Sequence, residues 1–282
     1  MRTCWINGSF VDEALATISI FDRGLLFGDG VYEVAAILNG HILDADLHLA
    51  RLHRSLRAIG MTSSMTSDAW QHVMQSLAER NAIVEGLVYL QVTRGVAERD
   101  FPFPIDTPPT MFAYSRPKTL TADPHADGVR VQTVTDWRWM RRDIKSTSML
   151  AQVLAKQEAR AAGAYEALLH EDGVVTEGGA STFWMVQRGI VVTRPLSSKI
   201  LAGVTRDITM TVAGALGISV EERIFTVDEA LAADECFLSS ATGFVLPVTH
   251  IDAQPVGSGA PGLIAMQLRA AHFARASAFS QC

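Results

Sequence analysis

The sequence predicts an α+β domain at the N-terminus followed by a larger domain built on a mixed, barrel-like α/β sheet. Its 282 residues exceed the usual length of one domain. Strand-like and helical patterns run in the order ββαα in the first segment and alternate in the second. Between Ser115 and Gly128 the composition turns to Pro, Thr, Asp and Gly, which is typical of an exposed connector. The predicted boundaries are 1–118 for the first domain, 119–128 for the connector and 129–282 for the second domain.

Residue spacing predicts the elements of the N-terminal domain. Leucine and isoleucine residues recur at helical spacing from Leu47 to Ile59, and Gly60 is placed to end this helix. A second helix is predicted over about 68–81, with Ser67 as its N-cap and one apolar face. Runs rich in β-branched and apolar residues predict strands at 3–6, 8–11, 31–38 and 87–93.

In the C-terminal domain the same criteria give an alternating order of strands and helices. Helices are predicted over about 148–162 and 205–216. Apolar runs predict strands at 129–135, 165–170, 182–187 and 190–193. This order favours a mixed sheet or a small barrel.

Composition excludes several classes of function. A formal net charge of −6 leaves no basic excess to neutralise a nucleic-acid backbone. Cys4, Cys236 and Cys282 match neither a disulfide framework nor a metal site, so we expect a reducing cytoplasm and no metal. No signal peptide is apparent, and no apolar stretch reaches the roughly 18 residues of a membrane span. We therefore expect a soluble protein that binds neither nucleic acid nor membrane.

Lys145 is the first candidate for chemistry. It precedes the predicted helix at 148–162, and most lysines in such a place are solvated surface charges. The buried-looking strand at 129–135 and the apolar face of the helix favour an inward orientation instead. An amine withdrawn from water is a good nucleophile towards an aldehyde.

Three further segments have the composition of a cofactor site. Glu177 ends an apolar strand and is either an exposed turn residue or the acceptor for a protonated ring nitrogen of a cofactor. Gly203 precedes a helix, so the N–H groups of Val204 and Thr205 could face an anion. Residues 239–243 offer hydroxyl groups and flexible backbone for the same task.

Together these segments resemble the fold type IV pyridoxal-phosphate enzymes, the class IV aminotransferases. This family includes D-amino-acid, branched-chain and (R)-amine transaminases and aminodeoxychorismate lyase. The resemblance spans almost the whole chain. It is densest at residues 22–24, 27–33, 143–146, 154–159, 176–178 and 203–206.

The resemblance implies a cofactor and residues to bind it. Pyridoxal 5′-phosphate would form a Schiff base with Lys145, and Glu177 would face its pyridine nitrogen. Arg51, which could otherwise be a solvated charge on an amphipathic helix, becomes a phosphate ligand. The family often has threonine at Ala241, so the hydroxyl contact is expected to shift to Thr242. The other implied phosphate ligands are Val204, Thr205, Ser240 and Ala241.

Within the family, residues 143–146 and 92–95 are most similar to the D-amino-acid branch. Branched-chain enzymes tend to carry an arginine and a tyrosine where this chain has Ala36 and Leu150. The resemblance therefore implies a transaminase that moves an amino group from a D-alanine-like donor to 2-oxoglutarate or pyruvate. Branched-chain and (R)-amine transaminases and aminodeoxychorismate lyase remain the alternatives.

The D-amino-acid branch binds the substrate carboxylate with a tyrosine, an arginine and a histidine, the last two from the partner subunit. Tyr32 and Arg99 match the first two, although Arg99 could also be a solvated loop charge. Phe101 stands where the histidine is expected, which removes a polar contact and leaves aromatic (R)-amines as secondary substrates. The resemblance also implies a homodimer with active sites near the subunit interface.

Overall fold

The computed structural model describes residues 2–62, 65–121 and 127–279, so part of the predicted connector lies outside the described residues. No helix in these ranges is long and apolar enough to cross a lipid bilayer. The chain divides into two compact units, and each is described by itself below.

The first unit is built from Met1–Leu120 together with the short segment Ile144–Ser148. Its sheet has six antiparallel strands in the order β2-β1-β6-β5-β3-β4. The strands are β1 Thr3–Ile6, β2 Ser9–Asp12, β3 Gly30–Leu38, β4 His41–Ile42, β5 Glu85–Thr93 and β6 Thr110–Pro117. The helices are α1 Arg23–Phe27, α2 Ala45–Ala58 and α3 Ser67–Arg80.

The core of the first unit lies between one face of this sheet and the two longer helices. Leu52 of α2 and Met74 of α3 are buried in the same cluster as Val88 and Leu90 of β5. This arrangement confirms the predicted α+β architecture. Leu47 is 39% exposed, although its spacing had suggested the apolar face of α2.

Two predictions for the first unit are corrected by the structure. The N-cap of α3 is Thr66 rather than Ser67, because the Thr66 hydroxyl accepts a hydrogen bond from the Ala69 N–H. Strand β6 continues through Ser115 to Pro117, into the segment whose composition suggested a connector. Ser115 is buried, and its hydroxyl has partners there: it donates to the Leu77 carbonyl and accepts from Asn81 Nδ2.

The second unit is built from Thr121–Asp143 and Met149–Ala278 around a mixed sheet. The path of the sheet is β12-β11-β10-β13-β14-β7-β8-β9, and β15 pairs with β14. Parallel pairs join β11 to β12, β14 to β7 and β7 to β8. The strands are β7 Val129–Thr135, β8 Glu166–Glu171, β9 Val174–Gly178, β10 Thr182–Gln187, β11 Ile190–Thr193, β12 Val220–Glu222, β13 Glu235–Ser240, β14 Phe244–Ile251 and β15 Gln254–Pro255. The helices are α4 Leu150–Ala161, α5 Val204–Ala215, α6 Val227–Leu231 and α7 Leu263–Phe279.

The sheet of the second unit is buried on both faces. Phe183 and Met185 of β10 lie in one apolar cluster, and Trp184 and Val186 lie in another on the opposite face. Successive side chains of a strand point to opposite faces, so β10 is apolar at every one of these positions. The second cluster includes residues of α5 and α7.

Residues 144–148 return the chain to the first unit. Ile144 is buried in the core of that unit, and an isolated bridge pairs Ser146 with Val31 of β3. These contacts hold the backbone on both sides of Lys145, whose inward orientation the sequence analysis based on the strand at 129–135 and the apolar face of the following helix. Of that helix, α4, only Ala155 and Ala159 are buried.

Candidate active site

Lys145 is half-buried beside β3 of the first unit. Its carbonyl accepts a hydrogen bond from the Tyr32 N–H at 3.0 Å, and its own N–H donates to Ser55 Oγ at 3.3 Å. Lys145 Nζ lies 4.1 Å from the centroid of the Tyr32 ring. The structure thus brings together the predicted catalytic lysine and one predicted substrate-binding residue.

The Tyr32 ring belongs to a row of aromatic residues on one face of the first sheet. Tyr89 stacks on Tyr32 with centroids 5.5 Å apart and on Tyr114 with centroids 5.1 Å apart. Burial raises the pKa of Tyr89, and the two neighbouring tyrosines raise it further. The Tyr89 hydroxyl therefore stays neutral and donates to Gln91 Oε1 at 2.7 Å. This row fixes the plane of the Tyr32 ring.

Arg51 lies in a buried ion pair on the other face of β3. Its Nε and Nη2 donate to the two oxygens of Glu33 at 2.6 and 2.8 Å, and His48 Nδ1 lies 2.8 Å from the same carboxylate. Burial by itself would raise the pKa of Glu33, but Arg51 and His48 lower it well below the usual range. The alternative of a solvated Arg51 is wrong, since only 7% of this residue is exposed.

Glu177 is a buried carboxylate in β9 of the second unit, so the alternative of an exposed turn residue is wrong. Arg138 Nη1 donates to its Oε1 at 2.5 Å, and the Leu201 N–H lies 3.2 to 3.3 Å from both oxygens. Burial raises the pKa of Glu177, while Arg138 and the Leu201 N–H oppose the rise. Asp136 binds the same guanidinium through both of its carboxylate oxygens.

The two predicted phosphate-binding segments both meet the end of β10 in the second unit. Helix α5 starts at Val204, and no side chain in the described part of the protein caps its N-terminus. A Cβ atom added to Gly203 would lie 3.0 Å from Thr182 Oγ1. Thr182 pairs with Ser239 of β13, directly before the turn that contains Ser240, Ala241 and Thr242.

Arg99 and Phe101 lie in an exposed loop of the first unit, between β5 and β6. Phe101 is 76% exposed, and its ring centroid is 5.6 Å from that of Phe27. The Arg99 guanidinium carbon lies 5.3 Å from the Phe27 centroid and 5.8 Å from the Phe101 centroid. Both side chains are therefore presented to solvent beside an aromatic contact.

Several residues around these sites were missed by the sequence analysis. Glu33 follows the predicted Tyr32 and is the buried partner of Arg51, and Arg138 is the partner of Glu177. For Arg138 a local signal was present: in Asp136-Trp137-Arg138, directly after a strand, an acidic residue stands two positions before a basic one. Within the described ranges, no group of three or more His, Cys, Asp and Glu residues is arranged to hold a metal ion.

Comparison with known proteins identifies the family. The model of the family described as Amino-transferase class IV matches residues 30–251. The chain belongs to the class IV aminotransferases. A D-alanine aminotransferase of Bacillus licheniformis is 39% identical over 265 residues, which cover 94% of this chain and 94% of the relative. The predicted family and its resemblance to D-amino-acid transaminases are confirmed.

Solved structures confirm the fold of this class IV aminotransferase. The branched-chain amino acid aminotransferase of Escherichia coli superimposes with a TM-score of 0.91 at 23% identity, covering 97% of this chain and 94% of that one. The branched-chain aminotransferase of Thermoproteus uzoniensis with norvaline gives a TM-score of 0.85 at 26% identity, covering 96% and 93%. Another branched-chain enzyme, solved with pyridoxamine 5′-phosphate, gives a TM-score of 0.90 at 27% identity, covering 96% and 93%. The predicted fold type IV architecture and the assignment as an aminotransferase are therefore confirmed.

Proposed function

We propose that this class IV aminotransferase is a pyridoxal-phosphate enzyme that transfers the amino group of a D-amino acid to a 2-oxo acid. The observation that carries the proposal is the position of Lys145, whose amine lies 4.1 Å from the Tyr32 ring while hydrogen bonds on both sides fix its backbone. The relative named D-alanine aminotransferase supports D-alanine as donor. Pyruvate or 2-oxoglutarate is the proposed acceptor.

The residues present fit a pyridoxal phosphate group. A phosphate needs unpaired donors, and the uncapped start of α5 at Val204 and Thr205 offers the N–H groups that helix termini direct at anions. From the resemblance, Ser240, Ala241 and Thr242 are the other proposed phosphate ligands of the second unit. Arg51 of the first unit, which pairs with Glu33, is the proposed cationic ligand. The buried hydroxyl of Ser181 has no partner among the described residues, which is typical of a site that a ligand completes.

The proposed roles follow from charge and position. When bound, pyridoxal phosphate supplies a ring that withdraws electrons from the substrate Cα. Lys145 would bind the aldehyde carbon of the cofactor until the substrate amine takes its place there, and the freed lysine amine would then carry the proton from the substrate Cα. Glu177 would hold the ring nitrogen in its protonated form, and Arg138, which donates to the Glu177 carboxylate, would keep that carboxylate in place. Tyr32 would bind the substrate carboxylate together with Arg99, which the resemblance places across the proposed subunit interface, and Phe101 would leave that wall of the site apolar.

We also propose that the enzyme is a cytoplasmic homodimer. Leu150, Val153 and Leu154 of α4 are 72%, 59% and 61% exposed, and contiguous exposed apolar residues are typical of protein interfaces. The free, buried thiols of Cys4 and Cys236 are compatible with a reducing compartment.

A panel of half-reactions tests the proposed function. The pure enzyme, loaded with pyridoxal phosphate, is mixed with D-alanine, L-leucine, an aromatic (R)-amine or aminodeoxychorismate, and the conversion of the cofactor to pyridoxamine phosphate is followed by absorbance. We expect fast conversion with D-alanine and slow or no conversion with the others. A preference for L-leucine or the amine would contradict the D-amino-acid assignment, and pyruvate release from aminodeoxychorismate would indicate a lyase.

A further inference from the structure

Two motifs of the first unit, residues 22–24 and 27–30, have no role in the cofactor chemistry proposed above. The first motif contains the start of the short helix α1, and the second contains its end. The Asp22 carboxylate accepts hydrogen bonds from the Gly24 N–H at 2.8 Å and from Thr93 Oγ1 at 3.0 Å. A Cβ atom at Gly24 would lie 2.2 Å from Thr93 Cγ2. Only glycine therefore lets α1 lie directly on the end of β5.

The end of α1 presents a carboxylate to two arginines. Gly28 ends the helix with a φ of 66°, a left-handed conformation that glycine adopts without strain. The chain then turns, and Asp29 Oδ2 accepts hydrogen bonds from Arg23 Nε at 2.9 Å and Arg94 Nε at 2.8 Å. Arg23 is 3% exposed and Arg94 is 8% exposed. One carboxylate thus fixes both buried guanidinium groups.

The two arginines hold the exposed loop that carries Arg99 and Phe101. Arg23 Nη1 donates to the Asp100 carbonyl at 2.6 Å, and Arg23 Nη2 donates to the Phe101 carbonyl at 3.3 Å. The Arg94 guanidinium carbon lies 3.6 Å from the centroid of Phe103. The backbone of the loop is therefore held by buried groups while its side chains stay exposed.

We propose that Asp29, Arg23 and Arg94, here named the loop clamp, are positioning residues that set the affinity of the enzyme for the substrate carboxylate. This inference rests on the proposed function, in which Arg99 binds that carboxylate. None of the three clamp residues is proposed to touch the substrate. Because a loop that is ordered beforehand loses less conformational entropy on binding, the clamp strengthens the contact made by Arg99. An arginine is needed at position 23 because its forked donors reach two successive carbonyls at once.

The first test replaces Arg23 by lysine, which keeps the positive charge and removes the fork. We expect the KM for D-alanine to rise about tenfold with little change in kcat or in the absorbance of the bound cofactor. The matched control is Arg80→Lys, the same exchange at an exposed arginine stacked on Phe10 in the same unit. The control should keep the KM of the wild type. A fall in kcat without a change in KM would overturn the inference.

A double-mutant cycle tests whether the clamp acts through Arg99. If it does, Arg23→Lys should raise the KM in the wild-type background and have little further effect in the Arg99→Ala background. Equal effects of Arg23→Lys in both backgrounds would show that Arg23 acts independently of Arg99, which would overturn the inference.

Hydrogen–deuterium exchange tests the clamp without reference to activity. In Arg23→Lys, the amides of residues 99–104 should exchange faster than in the wild type, while those of α3 should not change. Phe103→Ala is a milder second variant, because Phe103 is 61% exposed and its loss removes the contact with the Arg94 guanidinium while leaving Arg23 and Asp29 unchanged. It should speed exchange in the same segment and raise the KM about two- to fivefold, the usual contribution of a cation–π contact.

The two sets of measurements separate the failure of the clamp from that of the proposed function. If hydrogen–deuterium exchange of residues 99–104 is unchanged in Arg23→Lys and Phe103→Ala, the inference about the loop clamp is overturned, whatever substrate the enzyme uses. Faster exchange in an enzyme that does not accept D-alanine overturns the proposed function and with it the assigned role in carboxylate affinity.

Discussion

Glu33 is a buried carboxylate that contacts both Arg51 and His48 beneath the sheet of the first unit. The Coulomb attraction of such a pair offsets the cost of removing its charges from water, so the intact pair adds little net stability. Loss of the Glu33 carboxylate lowers stability, because the Arg51 guanidinium then stays charged and buried without a negative partner.

The first prediction is that Glu33→Gln lowers the free energy of unfolding by about 3 to 5 kcal/mol at neutral pH. The folded pKa of Glu33 lies below its ordinary value of 4.5. The stabilisation from the Glu33 carboxylate is therefore fully present above about pH 4.5 and is lost progressively as the pH falls from there towards the lower pKa of the folded state. The free energy of unfolding, measured with urea, should differ less between wild type and variant at pH 4 than at pH 7. Glu158→Gln, at an exposed glutamate of α4, is the control, and a gap that is constant with pH would contradict the prediction.

The second prediction concerns Glu177. Glu177→Gln should still bind pyridoxal phosphate, because the proposed phosphate ligands are unchanged. Removal of the substrate Cα proton should slow by about 100-fold, a typical effect of losing one electrostatic contact to developing charge. Stopped-flow absorbance with D-alanine in a single turnover measures this rate. Glu171→Gln, at another glutamate that pairs with an arginine in the second unit, should react like the wild type. An unchanged rate in Glu177→Gln would remove this residue from the mechanism.

Among the elements, those with strong local patterns were predicted well. The periodic apolar residues of α2 and α3 and the apolar runs of β3, β5 and β10 are visible without tertiary information. Helix α7 was not predicted, because its buried positions include Ala265, Arg269 and His272 rather than a row of large apolar residues. Strand β13 ends in two serines, which suggested a turn.

Only part of the candidate site could be predicted from the sequence, because its residues are paired by contacts between distant segments. Lys145 and Glu177 stand in local patterns that a single segment can reveal. Their surroundings depend on contacts between distant segments, such as Arg138 with Glu177, 39 positions apart, and Arg51 with Glu33, 18 positions apart. No local periodicity encodes which charges will be paired in the folded chain.

The third prediction tests the start of α3. Thr66→Ala should cost about 1 kcal/mol of stability, because the Ala69 N–H loses its hydrogen-bond acceptor. Ser67→Ala, one residue later, is the matched control and should cost less, since among the described residues the Ser67 hydroxyl caps no backbone group and its hydrogen-bond partner is His53 Nε2 at 3.3 Å. Thermal unfolding of both variants gives the comparison. A larger loss in Ser67→Ala would reverse the assignment of the N-cap.

At the scale of the whole molecule, the exposed apolar residues of α4 give the fourth prediction. The double variant Val153→Glu and Leu154→Glu should shift the proposed homodimer to a monomer, because two buried charges at an interface lack partners. Light scattering after size-exclusion chromatography measures the mass. The control is Leu216→Glu, at a leucine of the same unit that is 48% exposed. A double variant that keeps the mass of the wild type would place any interface elsewhere.

The path of the chain also constrains how this protein is made and how it could have been rearranged. A ribosome delivers the segment up to Leu120 well before Ile144, yet Ile144 belongs to the core of the first unit. During synthesis, that core stays incomplete until residues 144–148 have emerged. A recombination event that moved residues 1–120 as one contiguous cassette would carry Tyr32 and Arg51 to the new gene and leave Lys145 behind. The lysine and its aromatic neighbour can therefore be inherited together only if the intervening stretch of the gene travels with them.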